Sequence, residues 1–69
     1  MKVDGYEVTR KLMLEQLQAV IDGYPLWPGD TISHRSAKAC MLAGWIVRQK
    51  DGNWIPTRLG LVAIEEGLA

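Results

Sequence analysis

The chain carries one histidine and one cysteine, His34 and Cys40, six positions apart. On a helix that interval turns through about 600°, so the two side chains leave the axis in different directions. They do not make the thiol–imidazole pair of a nucleophilic enzyme. Structural zinc takes several Cys or His ligands at set spacings, and the sequence has no such cluster. No glycine-rich loop that would cradle a phosphate occurs. Glu65 and Glu66 are neighbours near the end of an apolar-periodic stretch and read as a solvated helix terminus, not an acid–base dyad. Cys40, being alone, forms no internal disulfide and reads as a small buried hydrophobe. The expectation is a protein that is not an enzyme and uses neither metal nor cofactor.

The cations carry more information. Formal net charge is zero, with 8 basic and 8 acidic residues. From Thr31 to Arg58, however, Arg35, Lys38, Arg48, Lys50 and Arg58 stand against Asp51 alone, five minus one or +4. The remainder holds three basic and seven acidic residues, or −4. Such a split can build a basic face on a neutral protein, the alternative being an ordinary mixed surface. Arginine can pair with guanine edges through two hydrogen bonds, and lysine suits phosphates. Tryptophan is enriched at protein interfaces, which makes Trp27 and Trp54 candidates for a protein contact. For Trp27 the competing reading is a lid over the core.

Four elements must position these groups. Met13, Leu17, Val20, Ile21 and Tyr24 recur at helical spacing and predict an amphipathic helix from about Glu7 to Asp22. Asp4 with Glu7 has capping-box spacing, Thr9 is a second start, and Gly23 suits the left-handed end. Residues 24–32 contain Pro25, Pro28 and Gly29, which forbid a regular helix and predict a loop. A second helix is expected from Ser33 to Ala43, capped by Thr31 or Ser33 and ended by Gly44. Its Ala37, Cys40, Met41 and Gly44 share one face, while His34, Arg35, Lys38 and Leu42 lie elsewhere. Trp45 to Lys50 is rich in aromatic and β-branched residues and reads as a strand. Asp51-Gly52 reads as a two-residue hairpin turn with both residues at positive φ, setting Arg48 opposite Ile55 and Gln49 opposite Trp54. Pro56 cannot donate to a ladder, so the return strand is an edge or ends there. Thr57 caps a last helix to Glu66, with Leu59, Val62 and Ala63 turned inward, widened by Leu61 and Ile64. Gly60 costs about 1 kcal/mol against alanine in that helix, which points to close approach by another backbone. Gly67 is expected to end it.

The stretch Met41 to Val47, then Asp51-Gly52-Asn53-Trp54, then Thr57-Arg58-Leu59-Gly60 resembles the winged-helix family of DNA-binding domains. It looks like that family's passage from recognition helix through wing to a threonine-capped closing helix. The likeness covers residues 33–67 well and implies one α+β domain over 1–69: helix, loop, helix, wing hairpin at 45–57, helix. Two departures stand out. The 24–32 loop leaves room only for a 3₁₀ turn where the family has a middle helix. Pro56 replaces an apolar residue before the threonine. By this resemblance the second helix faces the major groove, His34, Arg35 and Lys38 contact bases or phosphates, and Arg48, Lys50 and Asn53 lie on the wing. Small phage and bacterial transcription regulators carry such a pattern, with double-stranded DNA as partner.

A second function remains open: a phage-type inhibitor or adaptor that docks on a host protein through the same scaffold. Net neutrality, the short middle segment and three tryptophans favour it. With 69 residues the chain buries only about 60% of its unfolded surface. Modest stability points to a partner or a dimer, and so few DNA contacts per module point to a homodimer. No apolar run reaches the length of a membrane span, and Met1 to Arg10 lacks the apolar centre of a signal peptide. The expected location is the cytoplasm.

Overall fold

The computed structural model describes residues 1–24 and 31–68. Trp27 and the interior of the Pro-rich loop, including the place of the middle helix, lie outside the described residues. The order is β1 (Lys2–Val3), β2 (Tyr6–Glu7), α1 (Arg10–Ile21), α2 (Thr31–Leu42), β3 (Ile46–Arg48), β4 (Trp54–Pro56) and α3 (Arg58–Leu68). It is a small α+β domain whose described residues form three helices and two antiparallel hairpins. Among the described residues no helix is long and apolar enough to cross a membrane.

The N-terminal hairpin corrects the expectation of a helix from Glu7. Asp4 and Gly5 both adopt positive φ, 52° and 83°, as a type I′ turn demands. Lys2 pairs with Glu7 and Val3 with Tyr6. The Met1 ammonium donates to the Val8 carbonyl at 3.0 Å and the Glu7 carboxylate at 3.2 Å. A lone two-stranded hairpin is marginal in water. Here Val3 and Val8 anchor it by joining the buried core. Helix α1 then starts at the second of the two expected sites: Thr9 is the N-cap, its Oγ1 accepting from Leu12 N–H at 3.2 Å.

Both long helices stop at glycine. In α2, Gly44 N–H donates to Met41 and Trp45 N–H to Cys40, the pair of bonds of a Schellman end, with Gly44 at φ 80°. Gly23 closes α1 in the same way. The core joins Met13, Leu17 and Val20 of α1 to Ala37, Ala39 and Cys40 of α2, with Ile46 and Ala63. Met41, expected inside, is exposed, while Ser36 and Ala39 are buried in its stead. Small side chains let the two helices approach closely, and the longer Met41 is displaced to the rim.

The wing hairpin forms as expected but one residue out of register. Arg48 pairs with Trp54, Val47 with Ile55 and Ile46 with Pro56. Only Gly52 of the turn has positive φ, at 89°. Gly52 N–H donates to the Gln49 carbonyl at 3.0 Å, and Gln49 N–H to the Asn53 carbonyl at 2.7 Å. That is a three-residue loop, a type I turn closed by one left-handed glycine. A one-residue slip exchanges faces, so Arg48 rather than Gln49 stands across from Trp54. The return strand ends at Pro56.

Thr57 caps α3: its Oγ1 accepts from Gly60 N–H at 3.1 Å and donates to the Gly44 carbonyl. The helix does not stop at Gly67 but continues to Leu68. Its inward face also differs from the expected one. Gly60 and Ala63 are buried and Ile64 partly so, while Leu59, Leu61 and Val62 face solvent. The cause is the backbone approach foreseen for Gly60. A Cβ built there would overlap the Trp45 carbonyl oxygen and stand 3.2 Å from Leu17 Cδ1. With the smallest residue against that carbonyl, the flanking leucines turn outward.

Candidate nucleic-acid interface

Helix α2 and the β3–β4 hairpin form two walls of a cleft of about 800 Å³, with the end of α1 as its floor. One face of α2 supplies His34, Lys38 and Met41, and the hairpin supplies Arg48, Asn53 and Trp54. Four of the six residues expected at a nucleic-acid contact therefore share one concavity. Trp54, the candidate protein anchor, lies among them and is half-buried. The observed register is what makes this combination. Arg48 sits directly across from Trp54, with its guanidinium carbon 5.9 Å from the ring centroid, near the limit for a cation–π contact.

Asn53 is held by Asp51, whose carboxylate accepts from its backbone N–H at 3.0 Å and its side-chain amide at 3.1 Å. That local bond fixes the amide beside the hairpin turn. Lys50 is exposed at the tip and is not part of the cleft wall.

Arg35 and Lys38 are engaged by the hairpin that sequence reasoning missed. The Arg35 guanidinium lies 3.6 Å from the Tyr6 ring centroid, a stacking distance. The Lys38 ammonium donates to Asp4 Oδ1 at 2.9 Å. Arg35 thus faces the hairpin rather than the cleft, while Lys38 touches both. Neither contact is strong: an exposed ion pair is worth about 0–1 kcal/mol, and an exposed cation–π pair about 0.5–1 kcal/mol. Tyr6 removes no charge from Arg35, and a phosphate could compete with Asp4 for Lys38. Asp4 and Tyr6 were legible in principle. Asp4-Gly5 is the same dipeptide as Asp51-Gly52, and it stands between the two β-formers Val3 and Tyr6.

The one thiol lies apart from this cleft. Cys40 is fully buried and its thiol donates to the Met13 carbonyl at 3.2 Å. Burial pushes that thiol up from 9.0 to about 11, so it holds no thiolate near neutral pH. His34 is exposed and no group of three His, Cys, Asp or Glu among the described residues is placed to hold a metal ion. Compared with known protein families, curated proteins and solved structures, the chain matches none.

Proposed function

We propose that this chain is a DNA-binding winged-helix domain of the small transcription-regulator type, with α2 as the groove-facing helix and the β3–β4 hairpin as the wing. The supporting observation is the shared cleft. Its cationic and hydrogen-bonding groups come from two separate elements: His34 and Lys38 from the helix, Arg48 and Asn53 from the hairpin. Lys50 extends the same charge to the wing tip. Lys38, Arg48 and Lys50 meet phosphates, and Asn53 and His34 supply polar contacts at the base edges or sugar. Arg35 joins them when its stack on Tyr6 opens.

The test is fluorescence anisotropy with double-stranded genomic fragments across a salt series. Three phosphate contacts per domain give a slope of log K against log salt of about −3. Arg48→Ala weakens binding and flattens that slope by about 1. Binding that ignores salt, or that Arg48→Ala leaves untouched, overturns the reading.

One observation favours the second reading, a module that docks on a host protein. Asp4 and Tyr6 already occupy Lys38 and Arg35, which leaves Trp54, with Tyr24 and Met41, as the apolar surface of the cleft. In that case a complex recovered from host lysate survives nuclease, and Trp54→Ala disrupts it more than Arg48→Ala does.

A further inference from the structure

Helix α3 turns three large apolar side chains to solvent among three charged ones. Leu59 is 64% exposed, Leu61 47% and Val62 44%. At 100° per residue, Val62 lies near the middle of the outward face. Arg58 stands one turn before it and Glu65 and Glu66 one turn after, with Leu59 and Leu61 on the flanks. A monomer gains nothing from exposing three large apolar side chains on one short helix.

The charges at the two ends identify the occupant. Arg58 is the first residue of α3, beside the positive pole of the helix dipole, and Glu65 and Glu66 lie near the negative pole. Both placements are the reverse of what favours an isolated helix. The ion pairs among the described residues, Met1 ammonium with Glu7 and Lys38 with Asp4, involve none of the three. A second α3 laid antiparallel removes both conflicts. It sets its own Glu65 and Glu66 beside Arg58, its own Arg58 beside Glu65 and Glu66, and it opposes the two dipoles.

We infer that α3 is a self-association surface on which a second copy of this chain packs antiparallel about a twofold axis near Val62. The arrangement is isologous, so one set of residues serves both sides. Val62 meets its symmetry mate at the centre. Leu59 and Leu61 close the flanks, and Leu59 also reaches over Gly44 at the end of α2, two residues past exposed Leu42. Eleven residues span only about 16 Å. The contact is therefore below the roughly 800 Å² per partner of a standard interface, and the association is weak and reversible. The inference does not depend on DNA binding.

Sedimentation equilibrium on the full chain, up to about 1 mM, tests it with charge exchange. The wild type shows a monomer–dimer equilibrium. Arg58→Glu alone, and Glu65→Arg with Glu66→Arg, each weaken it roughly tenfold, because every dimer gains two like-charge contacts. Mixing these two variants restores association as a heterodimer, and combining all three changes in one chain restores the homodimer. These positions are exposed, so folding, followed by circular dichroism, is retained. Val62→Glu abolishes the dimer by setting two carboxylates together at the axis. A wild type that remains monomeric at the highest concentration overturns the inference, and so does a dimer indifferent to Arg58→Glu.

Discussion

Gly60 offers the sharpest test of how the wing and the closing helix are joined. Helix propensity alone says that Gly60→Ala should stabilise α3 by about 1 kcal/mol. The structure says the reverse. The new methyl would overlap the Trp45 carbonyl oxygen and lie 3.0 Å from its carbon. This carbonyl cannot step aside, because it accepts Thr57 N–H at 2.8 Å. Thr57 in turn bonds the Gly44 carbonyl and caps Gly60 N–H. Relief requires α3 to lift off the start of β3, which strains three hydrogen bonds at once.

Overpacking of this kind costs typically 1–3 kcal/mol, and each weakened bond adds about 1 kcal/mol. With three bonds weakened, subtracting the propensity gain leaves a net loss of about 3–5 kcal/mol. A chain of 69 residues has a total stability of roughly 3–10 kcal/mol, so the variant is much weakened or unfolded at 37 °C. Urea denaturation followed by tryptophan fluorescence measures the difference. Gly67→Ala is the internal control. Its Cβ would meet Leu14 Cδ1 at 2.8 Å, a side-chain tip that can rotate away, so the change falls within about 1 kcal/mol of zero. Should Gly60→Ala prove as stable as the wild type or more so, the close approach of α3 to the Trp45 carbonyl is wrong.

The remaining predictions concern the N-terminal clamp and the buried thiol. Asp4→Asn keeps a residue tolerant of positive φ in the turn but frees Lys38, so stability falls by less than about 1 kcal/mol while, on the proposed function, DNA affinity rises. Unchanged anisotropy titrations would show that Asp4 does not compete with phosphate. Cys40 resists a disulfide exchange reagent in the folded protein at pH 8 and reacts fully in urea, and fast labelling of the native chain contradicts its burial. The thiol also makes stability depend on pH. Because its folded value, about 11, lies above 9.0, its contribution is complete below pH 9 and is lost as pH rises toward 11, at most about 3 kcal/mol. Denaturation midpoints of wild type and Cys40→Ala therefore converge across that interval, and parallel curves contradict the shift.

Local signals in the sequence specify most of the elements. Helix α1 is legible because Met13, Leu17 and Val20 keep one period, and Gly23 and Gly44 end their helices as left-handed residues. The first hairpin escapes a periodicity argument because each strand is two residues long. Its only strong signal is Asp4-Gly5, and the capping-box spacing of Asp4 and Glu7 competes for the same residues. Register is harder still. Asp-Gly fits a two-residue turn, yet Asp51 keeps a negative φ and one glycine closes a longer loop, so every pair shifts by one. The candidate site inherits that error: pairing Arg48 with Ile55 would set Arg48 and Trp54 on opposite faces, and only the observed register brings them together.

Inward and outward faces were the least legible feature, and the reason is the same in α2 and α3. A hydrophobicity pattern assigns the largest apolar residues to the core. In this chain the helices turn their smallest residues inward, Ser36, Ala37, Ala39 and Cys40 in α2, Gly60 and Ala63 in α3. Close backbone approach offers a short chain dense packing without long side chains to order. The consequence is that Met41, Leu42, Leu59, Leu61 and Val62 are left outside, at positions where apolar surface has no internal partner. Met41 borders the cleft between α2 and the wing, whereas Leu59, Leu61 and Val62 lie on α3. One packing rule thus leaves apolar side chains both beside the cleft proposed to bind DNA and on the helix face proposed to self-associate. Any change that lets large residues turn inward, by relieving the contact at Gly60, should weaken both.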